Sequence, residues 1–87
     1  MSERKTIWEQ MANNKTFVGK TLVEIVSGNE TKITDVTYEN DFFEIIGENW
    51  NFGFNNGPNG LKCGVVHQEG YDIAFYAQYV GCYGVKT

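Results

Sequence analysis

The clearest signal in the chain is a two-residue alternation: Trp50, Phe52 and Phe54 are separated by Asn51 and Gly53, and Asn55 follows. Successive side chains of a strand point to opposite faces, so this segment predicts a strand with one aromatic face turned to a core. Leu61, Cys63, Val65 and His67 alternate with Lys62, Gly64, Val66 and Gln68, and Tyr71, Ile73, Phe75 and Ala77 alternate with Asp72, Ala74, Tyr76 and Gln78. Both predict strands, and Gly81 suits a bend before a short final strand over Cys82–Val85. Upstream, β-branched residues dominate Thr21–Val26, and Thr31–Tyr38 predicts its hairpin partner across Ser27-Gly28-Asn29. Ile33 and Val36 cannot share a face of a regular strand, which predicts a bulge near Asp35. Phe42–Ile46 is apolar at both parities apart from Glu44, as expected of a central strand or one covered on both faces.

Only the start of the chain has a helical period. Ile7 and Met11 lie four apart, Trp8 and Ala12 extend the stripe, and Ser2 is a candidate N-cap. Asn13 and Asn14 suit a helix end, so the expected helix covers residues 3–14. At about three turns it is too short to be stable alone and must pack on the sheet. Turn chemistry recurs at Glu39-Asn40-Asp41, Gly47-Glu48-Asn49, Asn55–Gly60 (with the only proline, Pro58) and Glu69-Gly70. Connections this short leave no room for crossover helices, so the strands must be antiparallel. The expected fold is a single α+β, mostly β domain over residues 1–87. One short N-terminal helix packs on a curled antiparallel sheet or small open barrel of six to seven strands, spanning about 17–86. If the sheet is not fully closed, Cys82–Val85 or Thr21–Val26 is expected to remain an edge.

Composition supports a core: 41% of the 87 residues are hydrophobic and 15% aromatic. The net charge is −4, and the basic residues are scattered, which disfavours direct nucleic-acid binding. Glu30, Asp35, Glu39, Asp41, Glu44 and Glu48 fall in one stretch opposed only by Lys32. This is either a solvated face or a patch for a basic partner, with Glu39, Asp41 and Glu44 as its candidate contacts. No apolar run approaches the roughly 20 residues of a membrane span, and the N-terminus lacks a secretory apolar region. The expected location is cytoplasmic, or the host cytoplasm for a viral protein, with Cys63 and Cys82 reduced.

Catalytic chemistry finds little to stand on. His67 is the only histidine, no metal or phosphate-loop motif is present, and no cofactor is expected. Cys63 and His67 are about 13 Å apart on an extended strand, too far for a nucleophilic pair. Glu44 and Asp72 are the carboxylates that could approach one another across the sheet. The Asn56–Gly60 loop could form a backbone nest for an anion, though a plain hairpin loop is the simpler expectation. Tyr76 has the opposite parity to Phe75 and, with Tyr79 and Tyr83, is expected to form an exposed aromatic interface. The functional expectation is a non-enzymatic protein-binding module, a small inhibitor or assembly component of phage or bacterial type. A small-molecule-binding barrel with His67 or Asp72 at its rim and an acidic nucleic-acid mimic are the alternatives. A homodimer contacting through residues 71–86 is expected on the same grounds.

Overall fold

The computed structural model describes residues 7–56, 63–77 and 81–87. These form helix α1 (Ile7–Asn13) and strands β1 (Thr21–Glu24), β2 (Asn29–Glu39), β3 (Phe42–Gly47), β4 (Asn51–Asn55), β5 (Cys63–Val66), β6 (Ile73–Ala77) and β7 (Gly81–Lys86). All pair antiparallel in one open seven-stranded sheet, ordered β4-β3-β2-β1-β7-β6-β5. The expected class therefore holds, in its curled-sheet form and not as a closed barrel. The candidate N-cap Ser2, residues 3–6 of the expected helix, the Pro58 turn and Leu61-Lys62 lie outside the described residues.

The bulge makes the curl. The first part of β2 pairs with β1, through Thr21↔Lys32 to Glu24↔Asn29, and the second part pairs with β3, from Ile33↔Gly47 to Glu39↔Phe42. The register shifts between Ile33 and Asp35, so Ile33 and Val36 both face inward and both are buried. An extra residue in one strand bends it and increases its twist. Here it turns β2–β3–β4 over the β1–β7–β6–β5 half. Asp35 caps the irregularity by accepting from the Val36 N–H at 2.8 Å, while Lys15 Nζ donates to Asp35 at 2.8 Å and to the Val36 carbonyl at 3.0 Å. Lys15 has a left-handed backbone (φ 52°) just past the helix, so the helix exit is tied directly to the bend.

Rings fill the interior. Phe52 of β4 stacks on Tyr83 of β7 at 4.3 Å and on Phe75 of β6 at 6.1 Å, joining the two halves. Trp8 of α1 lies 5.1 Å from Phe43, 5.0 Å from Phe54 and 5.7 Å from Phe75. The helix buries Trp8 and Ala12 and leaves Ile7 on its exposed flank. Phe17 is also a core residue, in the turn before β1, where the sequence analysis expected the sheet to begin.

Two expectations change. β1 ends at Glu24 because the turn takes Ile25–Gly28, closed by the Gly28 N–H donating to the Glu24 carbonyl at 2.7 Å with Gly28 at φ 82°. The expected edges, moreover, are interior strands. β1 is apolar on both faces, with Leu22 and Val23 each buried, and β7 docks beside it in the register Leu22↔Val85 and Val23↔Gly84. Among the described residues, the edges of the sheet are β4 and β5.

Candidate functional site

A curled sheet has a concave face, here filled by rings and the helix, and a convex face that one short helix cannot reach. The convex face of β2–β3–β4 carries Glu39 opposite Phe42, Phe42 opposite Asn55, Thr37 opposite Glu44, and Glu44 opposite Gly53. The β2–β3 turn is a two-residue hairpin with Asn40 and Asp41 both at positive φ (54° and 65°), a conformation that Asn and Asp tolerate well. It brings Asp41 beside the same patch.

Phe42 is the central residue of this patch and is not among the candidates suggested by the sequence pattern. Its ring lies over Gly53, where an added Cβ would meet ring atoms at 2.7 and 2.9 Å. The ring remains 40% exposed. Glu39 is opposite it, Glu44 follows on the same face of β3, and Asp41 precedes it in the turn. Glu44 accepts from Asn51 Nδ2 at 3.1 Å, and Asp41 accepts from the Tyr38 hydroxyl at 3.5 Å. Among the described residues no ion pair reaches these three carboxylates, whereas Glu30 is held by Lys86 at 3.0 Å and Asp35 by Lys15. The acidic stretch of the sequence is therefore divided: Glu30 and Asp35 are paired with lysines, while Glu39, Asp41 and Glu44 lie beside an exposed ring. Phe42 could have been found from the sequence as the only residue of Phe42–Ile46 that shares Glu44's parity and is aromatic.

Tyr76 and Tyr83 do not share the face expected of them. Phe75 pairs with Tyr83 and Tyr76 with Cys82, which puts Tyr76 on the convex face and Tyr83 on the concave face. The β7 strand restarts at Gly81 (φ 126°), and Tyr83 then shares the parity of buried Val85. The Tyr83 hydroxyl donates to Glu24 at 3.4 Å, and both desolvation and the nearby Glu24 charge hold its pKa above the ordinary value. Tyr76 is 51% exposed. Tyr79 lies outside the described residues.

The catalytic pairings weighed from the sequence are kept apart. Glu44 points outward from β3, while Asp72 precedes β6 and is bound by Lys20 at 2.8 Å and by Thr87 at 3.2 Å, which hold its pKa below the ordinary carboxylate value. Cys63 packs against the concave core, and burial pushes its thiol up to about 11, the reverse of what a nucleophilic cysteine requires. His67 is exposed beyond the end of β5. Cys63 pairs with Ala77 and Cys82 with Tyr76, so the two thiols occupy opposite faces of the sheet. No helix among the described residues is long and apolar enough to cross a membrane. No protein family, curated protein or solved structure matches the chain.

Proposed function

We propose that this chain is a non-enzymatic protein-binding module, of the inhibitor or assembly-component kind, that engages a basic partner through Phe42 and its carboxylate rim. The observation that carries the reading is the exposed Phe42 flanked by Glu39 across the strand pair, Asp41 in the preceding turn and Glu44 on the same face, none of them in an ion pair among the described residues. An apolar centre inside a polar rim is the usual anatomy of a protein interface, with aromatic residues prominent among those that carry its affinity. A rim of one sign selects a partner of the other and speeds encounter.

The test begins with a photo-crosslinking phenylalanine analogue at position 42, and at exposed Val26 as control, in the protein's own cells. The adduct formed at position 42 and not at 26 identifies the partner for purification. Its affinity is expected to fall as salt rises, and to fall at least tenfold when Glu39→Gln, Asp41→Asn and Glu44→Gln are combined. A partner bound equally well by the triple variant, or adducts no different from those at Val26, would overturn the reading.

A further inference from the structure

The convex face carries a repeated device. Two rings lie on glycines of neighbouring strands: Phe42 on Gly53, and Tyr71 on Gly84, where an added Cβ would meet Tyr71 ring atoms at 2.6 and 3.0 Å. Gly53 and Gly84 thereby act as slots for a ring. A third glycine, Gly64, sits in edge strand β5 directly opposite Tyr76. An added Cβ there would meet nothing within 4 Å, and Tyr76 stands half out in solvent. This slot is open, and it lies where a further strand would add.

The two edges of the sheet are not alike. In β4, Phe52 and Phe54 are buried and Asn51 and Asn55 are its exposed side chains. In β5, Val65 is 46% and Val66 42% exposed, one on each face, and the strand Cys63–Val66 contains neither charge nor proline. An uncharged apolar edge with no second strand beside it among the described residues is a template for strand pairing.

We propose that two copies of the chain associate through β5, antiparallel about a two-fold axis, with Val65 opposite Val65 of the second copy. Keeping concave and convex faces aligned across such a pair requires residues of like parity to oppose one another. With Val65 on the axis, each Gly64 faces Val66 of the other copy, so the valine of one copy occupies the slot beside the other's Tyr76. The strand is thus complementary to itself, as an isologous interface requires, and no like charges meet within Cys63–Val66. This inference is independent of the Phe42 face. Four paired residues and their flanks bury less than a standard interface of about 1,600 Å², so the association belongs to the weak class, with a Kd on the order of 100 μM.

Sedimentation equilibrium of the full chain from about 5 μM to about 1 mM, a range bracketing that Kd, measures the association. The expected result is a monomer–dimer equilibrium that Val65→Lys weakens at least tenfold, by setting two cations opposite each other on the axis, and that Asn55→Lys on β4 leaves unchanged. Register is read by disulfide trapping in a Cys63→Ser, Cys82→Ser background. Residues directly opposite in an antiparallel pair have Cα atoms about 4.5–5.5 Å apart, within disulfide range, whereas Gly64 and its own twin are diagonal at about 7–8 Å. Val65→Cys is expected to cross-link under mild oxidation at least tenfold faster than Gly64→Cys. A chain that stays monomeric to the top of the range, a dimer indifferent to Val65→Lys, or equal trapping at both positions would overturn the proposal.

Discussion

Replacing Gly84 with alanine is expected to destabilise the fold, although the local backbone would tolerate the change. Gly84 lies between Val23 and Ala74 on the convex face, paired with both, and Tyr71 covers it. Val23 and Ala74 are 3% and 1% exposed despite facing away from the main core. The Tyr71 backbone cannot retreat easily: its N–H donates to the Gln68 carbonyl at 3.1 Å, the next N–H donates to the Val85 carbonyl at 2.8 Å, and Asp72 is held by Lys20. A Cβ at 84 would start 2.6 Å from the ring, against an ordinary carbon contact of about 3.5–4.0 Å, so the ring must lift by about 1 Å.

Overpacking of this kind costs about 1–3 kcal/mol, while alanine gains about 0.5–1 kcal/mol over glycine within a strand. The net expectation is a loss of about 1 kcal/mol and at most about 2.5 kcal/mol, the central value corresponding to about 4–8 °C in Tm for a domain of this size. The cycle with Tyr71→Ala isolates the cause. Without the ring, Gly84→Ala becomes neutral or stabilising by up to about 1 kcal/mol, which gives a coupling of about 2 kcal/mol. Urea unfolding followed by circular dichroism and tryptophan fluorescence measures all four corners. Effects that add to within about 0.5 kcal/mol would show that the ring on Gly84 is not what holds this face together.

Two further predictions concern titrating groups. Asp35, hydrogen-bonded by Lys15 and by the Val36 N–H, has its pKa below the ordinary value, so its stabilisation is complete above the unfolded carboxylate's pKa and disappears as pH falls through the folded one. The urea midpoints of the native chain and Asp35→Asn should differ at neutral pH and converge between about pH 5 and pH 1; a gap independent of pH would refute the bulge latch. The Cys63 thiol is held up to about 11 by burial, so it is stabilising below the unfolded thiol's range, and that contribution is lost as pH climbs towards about 11. In Cys82→Ser protein its alkylation rate should keep rising past the ordinary thiol value of about 8.5, and a plateau there would count against burial at β5.

Much of this fold is legible in local pattern. Each strand lies within a residue or two of its expected span, because one-sided burial in a strand leaves a period of two. The bulge is legible for the same reason: Ile33 and Val36 must both reach the core, and only a change of parity permits it. Strand order is another matter. Hairpins follow from short turns, but the docking of β7 against β1 joins residues about sixty positions apart, and nothing in either strand's own alternation specifies it. The one usable sign was the double burial implied by Leu22 and Val23. Nearness in sequence is what groups Tyr83 with Tyr76, whereas the β6–β7 register puts the two on opposite faces. Counted back from Val85, Tyr83 falls on the core face. Phe17 carries no periodic signal, standing alone in a turn.

The convex face explains why the candidate residues are where they are. The helix covers only the concave side, so the chain covers the other with its own rings, each laid on a glycine that leaves room for it. Tyr71 and Phe42 do this alike, yet their surroundings differ. Beside Tyr71 the charges are satisfied, Asp72 by Lys20 and Glu30 by Lys86. Around Phe42, Glu39, Asp41 and Glu44 have no cation among the described residues. Like charges this close repel, and in the proposed function an arriving cation relieves that repulsion. That difference, and not exposure alone, is what favours Phe42 as the centre of a partner surface and leaves Tyr71 as structure.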